Sequence, residues 1–192
     1  MLEKIKQLRT KTGVSIAECK KALEESGGNV EKACLALKEV SAKIAEKKSE
    51  REAGAGIIDS YIHGNGKVGV LVDLRCETDF VARNEAFKGL AHNIAMQIAA
   101  LNARFISRDD MPEELKEELR EVFKKDAENL KKPPEIIQKI IEGKIEAVLK
   151  EQVLLEQSFV KDPDITISEL LKEAIQKFGE NIKVARFARF SI

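Results

Sequence analysis

Hydrophobic residues in the first fifty positions recur at the three- and four-residue spacing of amphipathic helices. Ser15 and Glu18 have the spacing of a capping box, in which the two side chains satisfy free backbone N–H groups at a helix start. Asn29 directly follows Gly27-Gly28 and is a typical cap for the next helix. The pattern therefore predicts three short helices within residues 2–47, packed as a small bundle.

The pattern changes from helical spacing to strict alternation after residue 55. Residues 56–63 and 67–76 predict two strands, and the apolar residues of the second alternate onto one face. Asn65-Gly66 between them predicts a tight hairpin, because both residues tolerate positive φ. Residues 64–69 also match the glycine pattern G-x-G-x-x-G. A nucleotide-binding loop of that kind precedes a helix, whereas here a strand follows, so we expect a hairpin and no bound nucleotide.

Helical spacing returns after residue 85. A helix is expected up to about Leu101, followed by two long amphipathic helices at 112–130 and 134–157 that are joined at Pro133-Pro134. Paired amphipathic helices of this length predict an antiparallel arm.

The end of the chain predicts one more helix and one more strand. Ser168 is expected to cap a helix that Gly179 ends, and residues 182–192 then have a strand pattern. The fold class is therefore predicted to be α+β. We expect an N-terminal helical domain at 1–50 and a core at 51–192 that combines a small antiparallel sheet, helices and an arm at about 112–157.

Composition and charge exclude several classes of protein. The chain has 33 basic and 33 acidic residues, and this balance disfavours a protein whose main role is to coat nucleic acid. Tryptophan is absent and there is one tyrosine, which disfavours a stacking surface for single strands. No stretch approaches the roughly 18 apolar residues of a membrane span, so no membrane association is expected.

The cysteines and histidines do not form a recognisable site. Cys19, Cys34 and Cys76 are widely spaced, and a C-x-x-C motif is absent, so neither a zinc site nor another cofactor is expected. Scattered cysteines without a secretory signal fit a reducing, cytoplasmic location. His63 and His92 lack sequence partners for nucleophilic catalysis, and Cys76 lies on the inward face of a strand. An enzyme is therefore not expected.

The segment Thr78-Asp79-Phe80-Val81 lies at a strand-to-helix junction, where side chains are often presented to partners. Local chemistry alone favours a simpler interpretation. In that interpretation Thr78 or Asp79 caps the helix and Phe80 fills the core.

Long stretches of the chain resemble the bacterial elongation factor Ts family. Residues 8–23, with the sequence LRTKTGVSIAECKKAL, resemble the opening signature of that family. Residues 69–84, GVLVDLRCETDFVARN, resemble its second signature, and Gly179-Glu180-Asn181-Ile182 with Arg186-Phe187 fits its ending. These landmarks occur in the family's order and span the chain from end to end.

The resemblance implies a ubiquitin-associated-like fold for the N-terminal bundle, and a role as guanine nucleotide exchange factor for elongation factor Tu, a GTPase. In the family this bundle docks on the GTPase domain, which makes Arg9, Ile16 and Ala17 the expected contacts. Instead of contacting a partner, Arg9 could simply be a solvated helix residue, and Ile16 could pack in the core. Ala17 by itself adds little evidence for a contact surface.

The resemblance also implies that Thr78, Asp79, Phe80 and Val81 push into the partner near its bound magnesium and so promote GDP release. Whether Asp79 acts on that magnesium or only holds the loop is left open. Longer family members carry two related core modules, whereas this chain has one. It resembles the short form, in which two chains pair, so a homodimer is expected with the final strand as a candidate pairing edge.

Two other functions are compatible with parts of the sequence. A three-helix bundle alone also fits a helical adaptor that recognises a ubiquitin-like or peptide ligand. An RNA-binding protein is a weaker option, because the balanced charge counts against it.

Overall fold

The computed structural model of the protein describes residues 1–128 and 133–192. It combines helices with antiparallel strands, which confirms the predicted α+β class. In chain order the elements are α1 (Leu2–Thr12), α2 (Ile16–Glu25), α3 (Val30–Lys48), β1 (Ala55–His63), β2 (Val68–Cys76), α4 (Asp79–Ala82), α5 (Glu85–Leu101), α6 (Glu113–Glu128), α7 (Pro134–Gln152), β3 (Ser158–Phe159), β4 (Asp162–Thr166), α8 (Ile167–Phe178) and β5 (Lys183–Ser191).

The first three helices form the expected bundle. The predicted capping box at the start of α2 is present, since the Glu18 N–H donates to Ser15 Oγ at 3.3 Å and the Ser15 N–H donates to the Glu18 carboxylate at 3.3 Å. Asn29 caps α3 by accepting a hydrogen bond from the Lys32 N–H at 3.0 Å. The bundle core is small and apolar and consists of Ile5, Leu8, Val14, Cys19, Ala22, Leu23, Ala33 and Leu37.

Helix α3 belongs to two hydrophobic cores. Its first half contributes Ala33 and Leu37 to the bundle, and its second half places Ala45 in the main core. Helix α3 packs against α8, where Lys38 forms an ion pair with Glu169 at 3.5 Å and the Ser41 hydroxyl donates to the Gln176 side chain. The charged residues at 43–48 are thus part of a packed helix. The division of the chain at residue 50 stays a prediction.

Strands β1, β2 and β5 form an antiparallel sheet with β2 in the centre. The alternation predicted for β2 is confirmed, because Val70, Val72, Leu74 and Cys76 are all buried. Helix α5 covers this inner face of the sheet. The buried residues of the inner face continue to Cys76, the last residue of β2, and the candidate site begins directly after it.

The hairpin between β1 and β2 is present, but its turn differs from the predicted one. His63 pairs with Val68, so the loop comprises residues 64–67 rather than two residues. Gly64 and Gly66 have positive φ values of 57° and 77°, whereas Asn65 does not have positive φ. The glycines supply the left-handed conformation, which costs less without a Cβ atom.

The outer face of the sheet, opposite α5, carries apolar side chains. The register aligns Ile62, Gly69 and Phe190 across the three strands, and Leu71 pairs with Ala188 in the next row. Ile58, Ile62, Leu71 and Phe190 are 49–70% exposed. We call the set Ile58, Ile62, Leu71, Ala188 and Phe190 the sheet-face patch.

Helices α6 and α7 pack against each other as the predicted arm. Helix α7 ends at Gln152, five residues before the predicted end, because the chain turns there into a short 3-10 helix at Leu154–Glu156. The predicted end of the first arm helix, at 129–130, lies outside the described residues. At the base of the arm, Arg108 forms ion pairs with Glu146 of α7 and with Glu156. Hydrogen bonds to these carboxylates raise the pKa of Arg108, so its charge is permanent.

The predicted cap of α8 lies two residues too late in the sequence. Thr166, not Ser168, caps the helix, and it forms a capping box with Glu169: the Glu169 N–H donates to Thr166 Oγ1 at 3.1 Å. Ser168 lies inside the first turn, because a helix start with Thr166 places the glutamate at the required third position. The helix ends at Gly179 as predicted, and the strand that follows begins at Lys183.

Candidate partner-binding site

The segment that follows β2 forms a one-turn helix. Thr78 has extended backbone angles, and its Oγ1 accepts a hydrogen bond from the Val81 N–H at 3.4 Å, so Thr78 is the cap of α4. Asp79 is the first residue of this helix and is exposed. A negative charge at this position interacts favourably with the free N–H groups of a helix start. We call residues 78–81 the tip.

Phe80 and Val81 point in opposite directions. Phe80 is 84% exposed, whereas Val81 is 4% exposed and belongs to the main hydrophobic core. The interpretation in which Phe80 fills the core is therefore wrong, and Val81 takes that place. An exposed phenylalanine beside a buried valine leaves a large apolar side chain available for a partner.

Two residues from the other end of the chain hold the tip in place. The Glu180 carboxylate accepts hydrogen bonds from the Glu77 N–H at 3.1 Å, the Thr78 N–H at 3.0 Å and the Thr78 hydroxyl at 2.5 Å. The Asn181 N–H donates to the Glu77 carboxylate at 2.6 Å. The sequence does not predict these roles for Glu180 and Asn181. The two residues stand out in it only because they fall within the third stretch that resembles the family.

Cys76 precedes the tip and is fully buried. Its thiol lies 3.2 Å from the Thr78 carbonyl oxygen and donates a hydrogen bond to it. Burial, with a smaller contribution from the negative charge of Glu180, raises the pKa of the Cys76 thiol. The thiol therefore stays protonated at neutral pH, and it packs rather than acting as a nucleophile.

The second candidate surface lies where α1 turns into α2. Arg9 is exposed near the end of α1, and Ile16 and Ala17 are exposed at the start of α2, Ile16 by 56%. Core packing is therefore excluded as the role of Ile16, since the neighbouring Val14 and Cys19 fill the core instead. Among residues 1–128 and 133–192, no hydrogen bond or ion pair joins these three residues to the tip.

The two histidines lie together rather than in a catalytic arrangement. Tyr61 stacks on His63 and meets His92 edge-on, and His92 Nδ1 is 3.2 Å from an Asp59 carboxylate oxygen. Within the part of the chain that the structure describes, no group of three or more His, Cys, Asp or Glu side chains is arranged to hold a metal ion. The helices described there are also too short or too polar to cross a membrane.

Comparison with known proteins agrees with the landmarks along the chain. The family model described as "Elongation factor TS" matches residues 1–192. A protein of Coprothermobacter proteolyticus named elongation factor Ts is 53% identical over 188 residues, which is 98% of this chain and 95% of that protein. A protein of the same name from Thermodesulfovibrio yellowstonii is 51% identical over 188 residues, covering 98% of this chain and 94% of its own length.

Proposed function

Because the chain belongs to the elongation factor Ts family of translation elongation factors, we propose that it is a guanine nucleotide exchange factor for elongation factor Tu. The observation that carries this proposal is Phe80, an apolar side chain 84% exposed on an otherwise anchored tip. Burial of a phenylalanine side chain stabilises a complex by about 1.5–3 kcal/mol. A contact of that size can favour one conformation of a partner over another.

In the proposed mechanism, Phe80 enters an apolar gap in the opened form of elongation factor Tu, and the tip displaces the magnesium ion that bridges nucleotide and GTPase. Loss of that ion weakens nucleotide binding, because magnesium neutralises and bridges the phosphates. Asp79 supplies a carboxylate next to Phe80, at the start of α4, where it is exposed. Thr78 and Val81 hold the tip, one as the cap of α4 and the other as its core contact.

Linkage sets the thermodynamic requirement of this mechanism. A factor that binds nucleotide-free elongation factor Tu more tightly than the GDP form weakens GDP binding by the same ratio. A coupling of about 4 kcal/mol corresponds to a change of roughly a thousandfold in affinity. No bond in GDP breaks in this process, so the proposed activity needs no catalytic residue and no cofactor of this chain.

The N-terminal bundle supplies the second proposed contact. Arg9, Ile16 and Ala17 are exposed together around the α1–α2 turn, and they combine a charge with an apolar surface. We assign them to docking on the GTPase domain. The bundle and the tip belong to different hydrophobic cores, and we propose that the bundle contributes affinity whereas the tip accelerates nucleotide release.

We also propose a homodimer that acts in the cytoplasm without binding nucleic acid directly. The dimer is supported by the sheet-face patch, whose apolar side chains are uncovered in the single chain. Strand β5 lies at the edge of the sheet, as the expected pairing through the final strand requires. Pairing by the edge alone would leave the patch in water. Stacking of two sheets would cover it, because sheets pack face to face at about 10 Å through their apolar side chains.

Release of a fluorescent GDP from elongation factor Tu, followed by stopped flow, tests the proposed function. The expected result is a release rate that rises with the concentration of this protein and saturates. Nucleotide-free elongation factor Tu should form a complex with it that added GDP dissociates. A release rate that stays at the unassisted value at every concentration would refute the proposal, and capture of a ubiquitin-like or peptide ligand instead would favour the adaptor.

A further inference from the structure

Glu180 makes its contacts with the tip over a long separation in sequence. It lies in the loop between α8 and β5, and its carboxylate receives hydrogen bonds from the backbone N–H groups of Glu77 and Thr78 and from the Thr78 hydroxyl. Hydrogen bonds to an ionised carboxylate are among the stronger ones in proteins. The start of the tip is therefore held by a single side chain from a distant part of the chain.

The Thr78 hydroxyl links this anchor to α4. It donates to Glu180 at 2.5 Å and accepts from the Val81 N–H at 3.4 Å, so both interactions constrain one rotamer. Helix α4 has only four residues. A helix that short is not stable by itself in water, because the cost of nucleation exceeds what one turn regains. The direction of α4, and hence of Phe80, depends on the groups that hold its ends.

The loop that carries Glu180 is itself firmly held. The side chain of Asn181 is buried, and its amide donates to the carbonyl oxygens of Arg51 at 2.7 Å and Ser49 at 3.3 Å. Its backbone N–H donates to the Glu77 carboxylate, whose other oxygen lies 3.6 Å from Arg51 Nη1. The segment after α3, the segment before the tip and the loop after α8 are thus joined in one network.

From this network we infer that Glu180 is a positioning residue for nucleotide exchange: it orients the tip so that Phe80 meets the partner in the productive direction. This inference rests on the proposed function. The inference predicts which kinetic parameter of GDP release changes when Glu180 is lost. Loss of Glu180 should leave the docking surface of the bundle unchanged. It should therefore lower the maximal rate of GDP release and leave the half-saturating concentration close to the wild-type value.

The variants Glu180→Ala and Glu180→Gln test the inference. Alanine removes all three interactions, whereas glutamine retains a carbonyl oxygen for the two N–H groups and an amide that can donate to the Thr78 hydroxyl. We expect Glu180→Ala to lower the maximal rate about tenfold and Glu180→Gln to recover most of it. The amide hydrogens of Glu77 and Thr78 should exchange about tenfold faster in the alanine variant.

Asp110→Ala is the matched control. Asp110 accepts hydrogen bonds from the Ser107 N–H at 2.7 Å and the Ser107 hydroxyl at 2.8 Å, at the base of the arm. Its loss removes similar interactions without touching the tip. We expect normal GDP release with this variant, and unchanged amide exchange at Glu77 and Thr78.

The outcomes separate the two proposals. A wild-type protein that does not accelerate GDP release overturns the proposed function and this inference with it. If the wild type is active, an equally active Glu180→Ala variant overturns the inference alone, as does an altered half-saturating concentration with an unchanged maximal rate. Should Glu180→Ala fail to fold, Glu180→Gln decides, at a wild-type melting temperature. Faster amide exchange at Glu77 and Thr78 with a wild-type maximal rate contradicts the inference, as does a reduced maximal rate with wild-type exchange, whereas a maximal rate that changes together with the amide exchange supports it.

Discussion

Phe80 and Val81 are adjacent in a one-turn helix, yet one is 84% exposed and the other 4%. The buried valine anchors the helix to the main core, and this anchor keeps the phenylalanine in water. In the single chain, an exposed phenylalanine contributes little to folding. Its contribution is therefore expected in a complex.

Replacement of Phe80 by alanine should slow GDP release without loss of stability. Burial of the ring is worth about 1.5–3 kcal/mol, so the maximal rate should fall by roughly 10- to 100-fold. The melting temperature should stay within about 2 °C of wild type, since Phe80 is 84% exposed and has few contacts to lose. Stopped-flow release of fluorescent GDP and thermal unfolding measure the two effects.

Leu101→Ala provides the control for this prediction, because Leu101 is also a large apolar residue that is 45% exposed, at the far end of α5. Its loss should leave GDP release unchanged. A Phe80→Ala variant with the wild-type rate at saturating concentration would rule out the proposed insertion of Phe80 into an apolar gap of the partner.

Replacement of Arg9 or Ile16 by alanine should have a different kinetic effect. These residues belong to the bundle, which the proposal assigns to docking, so their loss should raise the half-saturating concentration about 5- to 50-fold and change the maximal rate little. Lys32→Ala, an exposed lysine in the first turn of α3, is the matched charge control and should behave as wild type. A lower maximal rate with an unchanged half-saturating concentration would contradict the assignment of these residues to docking.

Local sequence patterns predicted much of the secondary structure that surrounds the candidate sites. The alternation of β2 indicated where the strand ends, and the Ser15–Glu18 spacing located the start of α2. Both depend on neighbours a few residues apart, which a sequence displays directly. The exposure of Phe80 could not be predicted in this way. An apolar residue beside a strand end usually packs inside, and its direction here depends on the tertiary position of α4.

The Glu180–Thr78 contact was also beyond local patterns, because it joins residues 102 positions apart. The error at α8 has a different source. Thr166 and Ser168 can both cap a helix by residue type, but only Thr166 has a glutamate three residues later, and this Thr166–Glu169 capping box is visible in the sequence. The contact of Glu180 with Thr78, in contrast, depends on the packed fold.

Replacement of Phe190 by glutamate should convert a dimer into single chains. Phe190 is 70% exposed in the sheet-face patch, and a buried charge there would cost several kcal/mol in a face-to-face contact. Sedimentation equilibrium at micromolar concentration should give about twice the 21.4 kDa chain mass for wild type and about one chain mass for the variant.

Val122→Glu is the control for the dimer, since Val122 is 53% exposed on α6, in the arm rather than in the sheet. It should sediment as wild type. A wild-type mass near one chain at micromolar concentration would exclude the homodimer, and a dimeric Phe190→Glu variant would exclude stacking through the sheet-face patch.

Replacement of Asp73 by asparagine should destabilise the protein in a pH-dependent manner. Hydrogen bonds from Arg75, and then those from Arg186, lower the pKa of the Asp73 carboxyl. A folded-state pKa below the unfolded value stabilises the fold above the unfolded pKa, and this contribution is lost as pH falls through the folded pKa. At pH 7 the cost should be about 1–2 kcal/mol, a modest value because both arginines face solvent.

Urea unfolding of wild type and Asp73→Asn, at a fixed protein concentration and from pH 7 down to about pH 3, measures this effect. The stability difference should shrink as pH falls below about 4. Asp109→Asn, at an exposed aspartate near the base of the arm, should change stability little at any of these pH values. A difference between wild type and Asp73→Asn that is the same at every pH would show that the ionised carboxylate is not its source.

Replacement of Gly56 by alanine should disrupt the sheet at the point where β1 pairs with the end of β2. An added Cβ atom would lie 2.3 Å from the Leu74 carbonyl oxygen and 2.9 Å from Arg75 Cα, and Gly56 also has a φ of 153°. Both contacts are with backbone, which cannot move aside as a side chain does, so we expect a loss of about 3 kcal/mol or more. Gly89→Ala is the opposite case, because Gly89 is exposed inside α5 and an added Cβ meets nothing within 4 Å. Gly89→Ala should stabilise the protein by about 0.5–1 kcal/mol. Urea unfolding measures both variants, and a Gly56→Ala variant as stable as wild type would contradict the close approach of β1 to β2.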